Sequence, residues 1–380
     1  MDGVQDIRQE SGAATRIERG TCHVLFAHDI GLSVDLNVAE RHITDTTQRQ
    51  TMKHKRRAPR YFEYRPAPLR VTQEIEPLVL GDYRTATTVD LLIYDFGAVS
   101  VGYRIPLSGP LTGLLALGGE LYDNPHLSAD SRRRVEQLLT VIEPAIAKPG
   151  ISDSVEDYAI YQIETWSPAV GLSRLIGQNG RLLAQILRAE VEPLSEQETS
   201  DALACRMSFG ENDAVVMDWN AALLIDTSGD DVRAVLEYAN VELLEMRNLD
   251  DQLDDALDKA YEAMTRRTWR RRLSLRARAH DLRRVAELQV DSALLFEGVD
   301  NALKLLGDQY LARVYRSASQ RLHLNDWDAS ILRKLQTLES IYQKMSAHDA
   351  QQRMEVLEWI IILLIAVSIA IPFLPGLSGH

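Results

Sequence analysis

From Trp359 to Leu374, sixteen consecutive residues carry no charge, and Ser368 is the only polar side chain among them. No other stretch restricts the fold as much, because such a run has to be covered by protein or by lipid. Extended back to Val356 it reaches nineteen residues with Glu358 as the one intruder. A bilayer core needs about 20 residues, within a range of roughly 17–25, so length leaves a buried core helix and a membrane span both open. Three features favour the span. The run is apolar on every face, where a surface-packed helix shows a stripe. Trp359 stands where an indole favours the headgroup boundary. The exit, PGLSGH, is short and uncharged. Residues 356–374 are therefore expected to form one transmembrane tail anchor that begins with Trp359, Ile360, Ile361, Ile362, Leu363, Leu364 and Ile365. The expected location is single-pass in an inner (cytoplasmic) membrane with the N-terminal domains cytosolic. The flanking charges Arg353, Glu355 and Glu358 are too balanced to add to the orientation.

The rest of the chain divides by pattern. Residues 1–19 read as an N-terminal tail, without the apolar core of a signal peptide and too acidic for a mitochondrial presequence. Residues 20–227 read as an α+β domain, with strands interspersed among a few helices. Strands are expected at the end of RIERGTCHVLFAHDI, over 68–75 and in EDYAIYQIETW. The clearest signal is VDLLIYDFGAVSVGYRI, residues 89–105, two branched and aromatic runs about Asp95-Phe96-Gly97, where Gly97 can supply a positive φ. From Asp230 to about Met345 proline is absent. Leu253, Leu257, Tyr261 and Met264 keep helical spacing, as do Ile331, Leu335, Leu338 and Tyr342. Residues 228–350 are thus expected to be a long-helix bundle or coiled coil, with a break at HLNDWDAS.

Chemistry-bearing motifs are scarce. The chain has no GxxxxGK[ST] loop, no GxGxxG after a strand, no HExxH and no GxSxG elbow. His23 and His28 are the nearest histidine pair, and five apart suits neither a helix face nor a strand face for a shared metal. The two cysteines, Cys22 and Cys205, show no ligand or disulfide spacing and read as small buried hydrophobes. No cofactor is expected. With a net charge of −13, polyanion binding would have to come from a local patch. One candidate exists: Arg266, Arg267, Trp269, Arg270, Arg271, Arg272, Arg276 and Arg278 follow an acidic stretch that includes Glu242, Glu245, Asp250, Asp251, Asp254, Asp255 and Asp258. Mutual neutralisation of the two stretches is one reading. The other is contact with anionic lipid or ribosomal RNA, where guanidinium forks suit phosphate.

The tail also carries a resemblance. Arg353, Leu357, Glu358, Trp359, Ile360, Ile361 and Ile362 resemble the C-terminal signature of the "required for meiotic nuclear division" family, also called Sad1-interacting factors. Tyr94, Gly97, Val99 and Val101 resemble that family's aromatic-rich hairpin. The resemblance implies a distant, bacterial member with a single membrane helix, large assemblies and a link to translation; it brings no catalytic residues.

Together these readings lead to the expectation of a non-enzymatic, membrane-tethered scaffold. It would self-associate through its helices as a homo-oligomer and present the cytosolic domain to a partner such as the translation machinery. The alternative is a membrane-anchored enzyme or small-ligand or nucleotide-binding regulator with its site in the α+β domain.

Overall fold

The residues Arg16–Asp29 form the strand around which the larger part of the protein is built, here β1. Cys22, Val24 and Phe26 enter the hydrophobic core on one side, whereas Leu25 and Ala27, equally buried, point to the other. A strand covered on both faces needs helices above and below. The computed structural model describes residues 15–43, 47–49, 66–265 and 309–370. They fall into two compact units, Met1–Asn248 with Asp291–Asp328, and Leu249–Val290 with Ala329–His380.

In the first unit β1 is followed by β2 (Ser33–Val34), helix α1 (Leu36–His42), β3 (Thr47–Arg49), β4 (Leu69–Glu74), β5 (Val79–Leu80) and β6 (Tyr83–Arg84). The hairpin β7 (Thr88–Ile93) and β8 (Ala98–Pro110) leads into α2 (Gly113–Leu121) and α3 (Pro125–Ile142). Then come β9 (Ile146–Ala147), β10 (Val155–Ser167), α4 (Leu172–Arg188), α5 (Glu196–Ala202), β11 (Arg206–Met207), β12 (Ala214–Met217) and β13 (Ala221–Ile225). Nine strands join one sheet in the order β11-β12-β13-β10-β1-β8-β7-β4-β3. Among the described strands only β10 and β13 pair in parallel, so the sheet is mixed. Leu114 and Leu117 of α2, Leu127, Val135 and Leu138 of α3, and Leu175, Leu183 and Ile186 of α4 share one core with Val24, Phe26, Val101, Tyr103 and Tyr161 of the sheet. Asn124 starts α3 by accepting from the backbone of His126 and Leu127, and Pro125 fits the first helical position.

Among the described residues three helices follow: α6 (Asp230–Thr265), α7 (Gln309–Arg321) and α8 (Leu324–Ala370). The first unit takes α6 up to Asn248, and the second continues it from Leu249. In the second unit Leu249, Leu253, Ala256 and Ala260 of α6 are buried, and so are Ile331, Leu335, Leu338 and Tyr342 of α8. Both sets step by four, three and four residues, the spacing of a coiled-coil seam. Ser330 bonds Asp250, and Lys334 bonds Asp250 and Asp254 at 2.8 and 2.6 Å. The near-constant offset along both helices makes them parallel. Alanines carry part of the seam, which is why Tyr261, expected on it, is instead 67% exposed.

The structure corrects the expected architecture. The strands form a large mixed sheet with helices on both faces, and among the described residues no helix is long and apolar enough to cross a membrane. The reason lies in where the charges fall. The last eighteen residues of α8 hold Arg353, Glu355 and Glu358. All three fall within Arg353–Ala370, the most apolar eighteen residues that the described part of α8 offers for a span. The transmembrane tail anchor, the membrane as partner and the inner-membrane placement with cytosolic domains therefore lose their support. Residues 371–374 of the expected span lie outside the described residues.

Candidate functional site

The sheet face opposite the hydrophobic core is polar at several points, and α6 lies across it in the first unit. Arg233, Glu237, Asn240, Leu244 and Asn248 follow steps of four, three, four and four, a single helical stripe. Arg233 Nη1 lies 3.2 and 3.3 Å from the two ring nitrogens of His23, over the ring and not along one lone pair. Ser100 Oγ donates to Glu237 at 2.6 Å, Asn240 donates to the carbonyl of Glu156 at 3.2 Å, and Arg247 pairs with the Glu156 carboxylate.

At the end of β1 these contacts gather into a network. Asp29 accepts from the backbone N–H of Gly31 and from Asn248 Nδ2, each at 2.9 Å. Ser152 Oγ donates to Asn248 at 2.9 Å. Burial pushes the Asp29 carboxyl up to about 6 against the opposing pull of these two bonds. Burial, then the nearby Asp29, holds Glu245 well above the carboxylate range. Among the described residues Glu245 Oε1 has no hydrogen-bond partner. Glu242 is 2% exposed and meets the Tyr315 hydroxyl of α7 at 2.5 Å; burial pushes it up to about 8. Glu237 is raised as well, because burial outweighs its bond with Ser100 and the field of Arg233 and Arg70. Tyr94 and Phe96, from the turn between β7 and β8, pack edge-on against Tyr238 of α6, with Tyr238 tilted against Tyr315. Gly97 closes that turn at φ +100°, and a Cβ there would lie 1.7 Å from the carbonyl oxygen of Gly31.

His28 sits on the opposite face of β1 from His23 and bonds Ser131 at 2.9 Å. Burial, then Arg132, pushes it down to about 4, while burial and the surrounding arginines push His23 down to about 3. The two histidines share nothing. Among the described residues no group of three or more His, Cys, Asp or Glu is arranged to hold a metal ion. A second buried ionic cluster pins α7: Asp218, fully buried, accepts from Arg188 at 2.9 Å and from Arg321 at 2.5 and 2.8 Å.

The arginine stretch, Arg266, Arg267, Trp269, Arg270, Arg271, Arg272, Arg276 and Arg278, lies outside the described residues. Trp359, Ile360, Ile361, Ile362 and Leu364 are exposed on α8, the helix that also contains Leu363 and Ile365. The acidic stretch does not act as one block. Glu242 and Glu245 turn into the first unit, Asp250 and Asp254 bind Lys334 in the second, and Asp251, Asp255 and Asp258 are exposed. The sequence did hold a signal for the inward-turned pair, Glu242 buried and Glu245 part-buried: in NVELLEM each glutamate is flanked by apolar residues, which leaves the helix no polar face to put it on.

Residues 19–231 match the family described as "Uncharacterized protein MJ0711, N-terminal domain", more than half of the chain. The chain belongs to that family. A relative, Uncharacterized protein MJ0711 of Methanocaldococcus jannaschii, is 23% identical over 221 residues. The aligned stretch is 57% of this chain and 65% of the relative, just under two thirds of the relative's length. No solved structure matches. This family overturns the resemblance to the meiotic nuclear division family. The residues that carried it have simpler causes here: Tyr94 and Gly97 serve the turn under α6, Val99 and Val101 are sheet core, and the isoleucines lie exposed on α8.

Proposed function

We propose that this chain is a non-enzymatic scaffold that self-associates through its helical region and presents the family domain to a protein partner. The observation behind this reading is the exposed run on α8. Trp359 is 70% exposed, Leu364 61%, and Ile360, Ile361 and Ile362 are about half exposed. At about 100° per residue these side chains surround the helix. They amount to roughly 600 Å² of exposed surface, taking about 200 Å² for each large side chain. That equals the largest patch of an ordinary monomer and marks an interaction site. The occupant that fits is a second copy. An uncharged surface offers no complement to a charged partner, which would bury its charges unpaired, whereas two copies of one run are self-complementary. Two patches together reach roughly 1,200 Å², the area at which specific interfaces begin.

Sedimentation velocity of the full chain tests this. The mass is expected to rise with concentration to a discrete oligomer, and a variant with Ile360, Ile361 and Ile362 all changed to Ser should remain monomeric. A monomer at high micromolar concentration, or an oligomer untouched by the triple substitution, overturns the reading.

A further inference from the structure

The contacts of α6 in the first unit have an uneven chemistry. Near its start, Arg233 stands over His23 and takes part in the field around Glu237 together with Arg70 and Asp90. Farther along, cationic partners run out among the described residues. Glu242 faces the Tyr315 phenol from α7 and the Asp328 carboxylate from the start of α8. Glu245 faces Asp29 from β1, and Asp29 already spends its oxygens on Gly31 and Asn248. The nearby cation Arg247 is committed to Glu156 and lies 5.7 Å from the Trp327 ring centre. Two carboxyl groups three residues apart, Glu242 buried and Glu245 part-buried with its Oε1 enclosed, thus meet phenol or acid, and among the described residues Glu245 Oε1 has no bond.

A carboxylate placed so is expensive, and a carboxylic acid is not. The neutral form removes the like-charge repulsion with Asp29 and Asp328 and still bonds the phenol. We propose that α6 is a proton-operated latch. Glu242 and Glu245 hold the helix against the sheet and α7 while they carry protons, and loosen it as they give them up to solvent. No other reactant is needed: one proton leaves each carboxyl, and the negative charge it leaves is relieved when the helix lifts and water reaches it. The proposal is independent of self-association, because both glutamates and all their partners lie in the first unit.

The sign follows from proton counting. The released carboxyl titrates at its ordinary 4.5 and the docked Glu242 at about 8. Between those values the docked form binds more protons, so rising pH favours release. One group changes the opening equilibrium by up to about tenfold per pH unit, and both together by up to about a hundredfold. Above about 8 the contribution of Glu242 levels off.

Amide hydrogen exchange on the full chain, corrected for intrinsic rates, tests the latch. Opening constants for amides in 236–248 and 310–320 should rise with pH between about 5 and 8, while those of β1 and β8 follow a shallower course. Glu242→Gln should lower the logarithmic slope by about one, and adding Glu245→Gln should lower it further. An unchanged slope in the double variant, or no slope in the natural chain, overturns the proposal. If the glutamine variants fail to fold, Tyr315→Phe decides. Its phenol draws the carboxyl down, so losing it should move the plateau to higher pH; a plateau that stays in place overturns the latch.

Discussion

Gly97 is where one missing atom decides the geometry around α6. Its φ of +100° is one that side-chain-bearing residues rarely adopt, and its Cβ position is taken by the Gly31 carbonyl oxygen. Gly97→Ala must therefore move the 30–32 loop or the β7–β8 turn, and Asp29, Tyr94 and Phe96 all hang on those segments. The expected cost is about 3 kcal/mol or more, read as a lower urea midpoint, with exchange protection of 236–248 falling first. The glycine itself was legible in the sequence as a turn residue. Its collision partner was not, because Gly31 reaches it only through strand pairing. The same limit hid Asp29 and Asn248, 219 positions apart yet bonded at 2.9 Å. Local patterning reports which side chains want cover, and only the folded chain reports what covers them.

At the scale of elements, the coiled-coil seam shows how composition misleads. The leucines and tyrosine at 253, 257 and 261 advertise a stripe, yet burial falls on Leu253, Ala256 and Ala260. Small residues let the helices approach, and the larger Ile331, Leu335 and Leu338 of α8 are the buried set there. Leu338, with no exposed surface, should be a principal support of the second unit. Leu338→Ala is expected to cost about 2–5 kcal/mol, seen as loss of exchange protection in 249–265 and 329–342 while the sheet strands keep theirs. Element type was readable for the hairpin, for β4 and β10 and for α6. The tail was misjudged because apolarity on all sides was weighed above the charges at 353, 355 and 358; among the described residues no helix is long and apolar enough to span.

For the whole molecule, two kinds of buried group set opposite pH limits. His23 and His28 are held neutral, down to about 3 and about 4 from an ordinary 6.5. The unfolded chain therefore takes up protons below about 6.5 that the folded chain refuses, and stability falls as acid is added. Glu242 works the other way, costing stability as pH rises from 4.5 to about 8. The two trends oppose each other between about 4.5 and 6.5. Thermal melts across pH 4–9 should place the stability maximum in that mildly acidic window, with a decline toward 8 that Glu242→Gln reduces. A maximum above pH 7.5 would contradict the assignment.

The parallel course of α6 and α8 also sets a schedule for synthesis. Ser330 lies 80 positions after its partner Asp250, so the seam face of α6 leaves the ribosome that far ahead of the residues that cover it. At about 5–20 residues per second, Leu253 and its neighbours wait roughly 4–16 s without their partner helix. The alanines at 256 and 260 keep the waiting face less sticky than leucines would. A chain that stopped before Ala329 would leave it open for good, which makes the second unit the last part of the protein to become safe from association with other nascent chains.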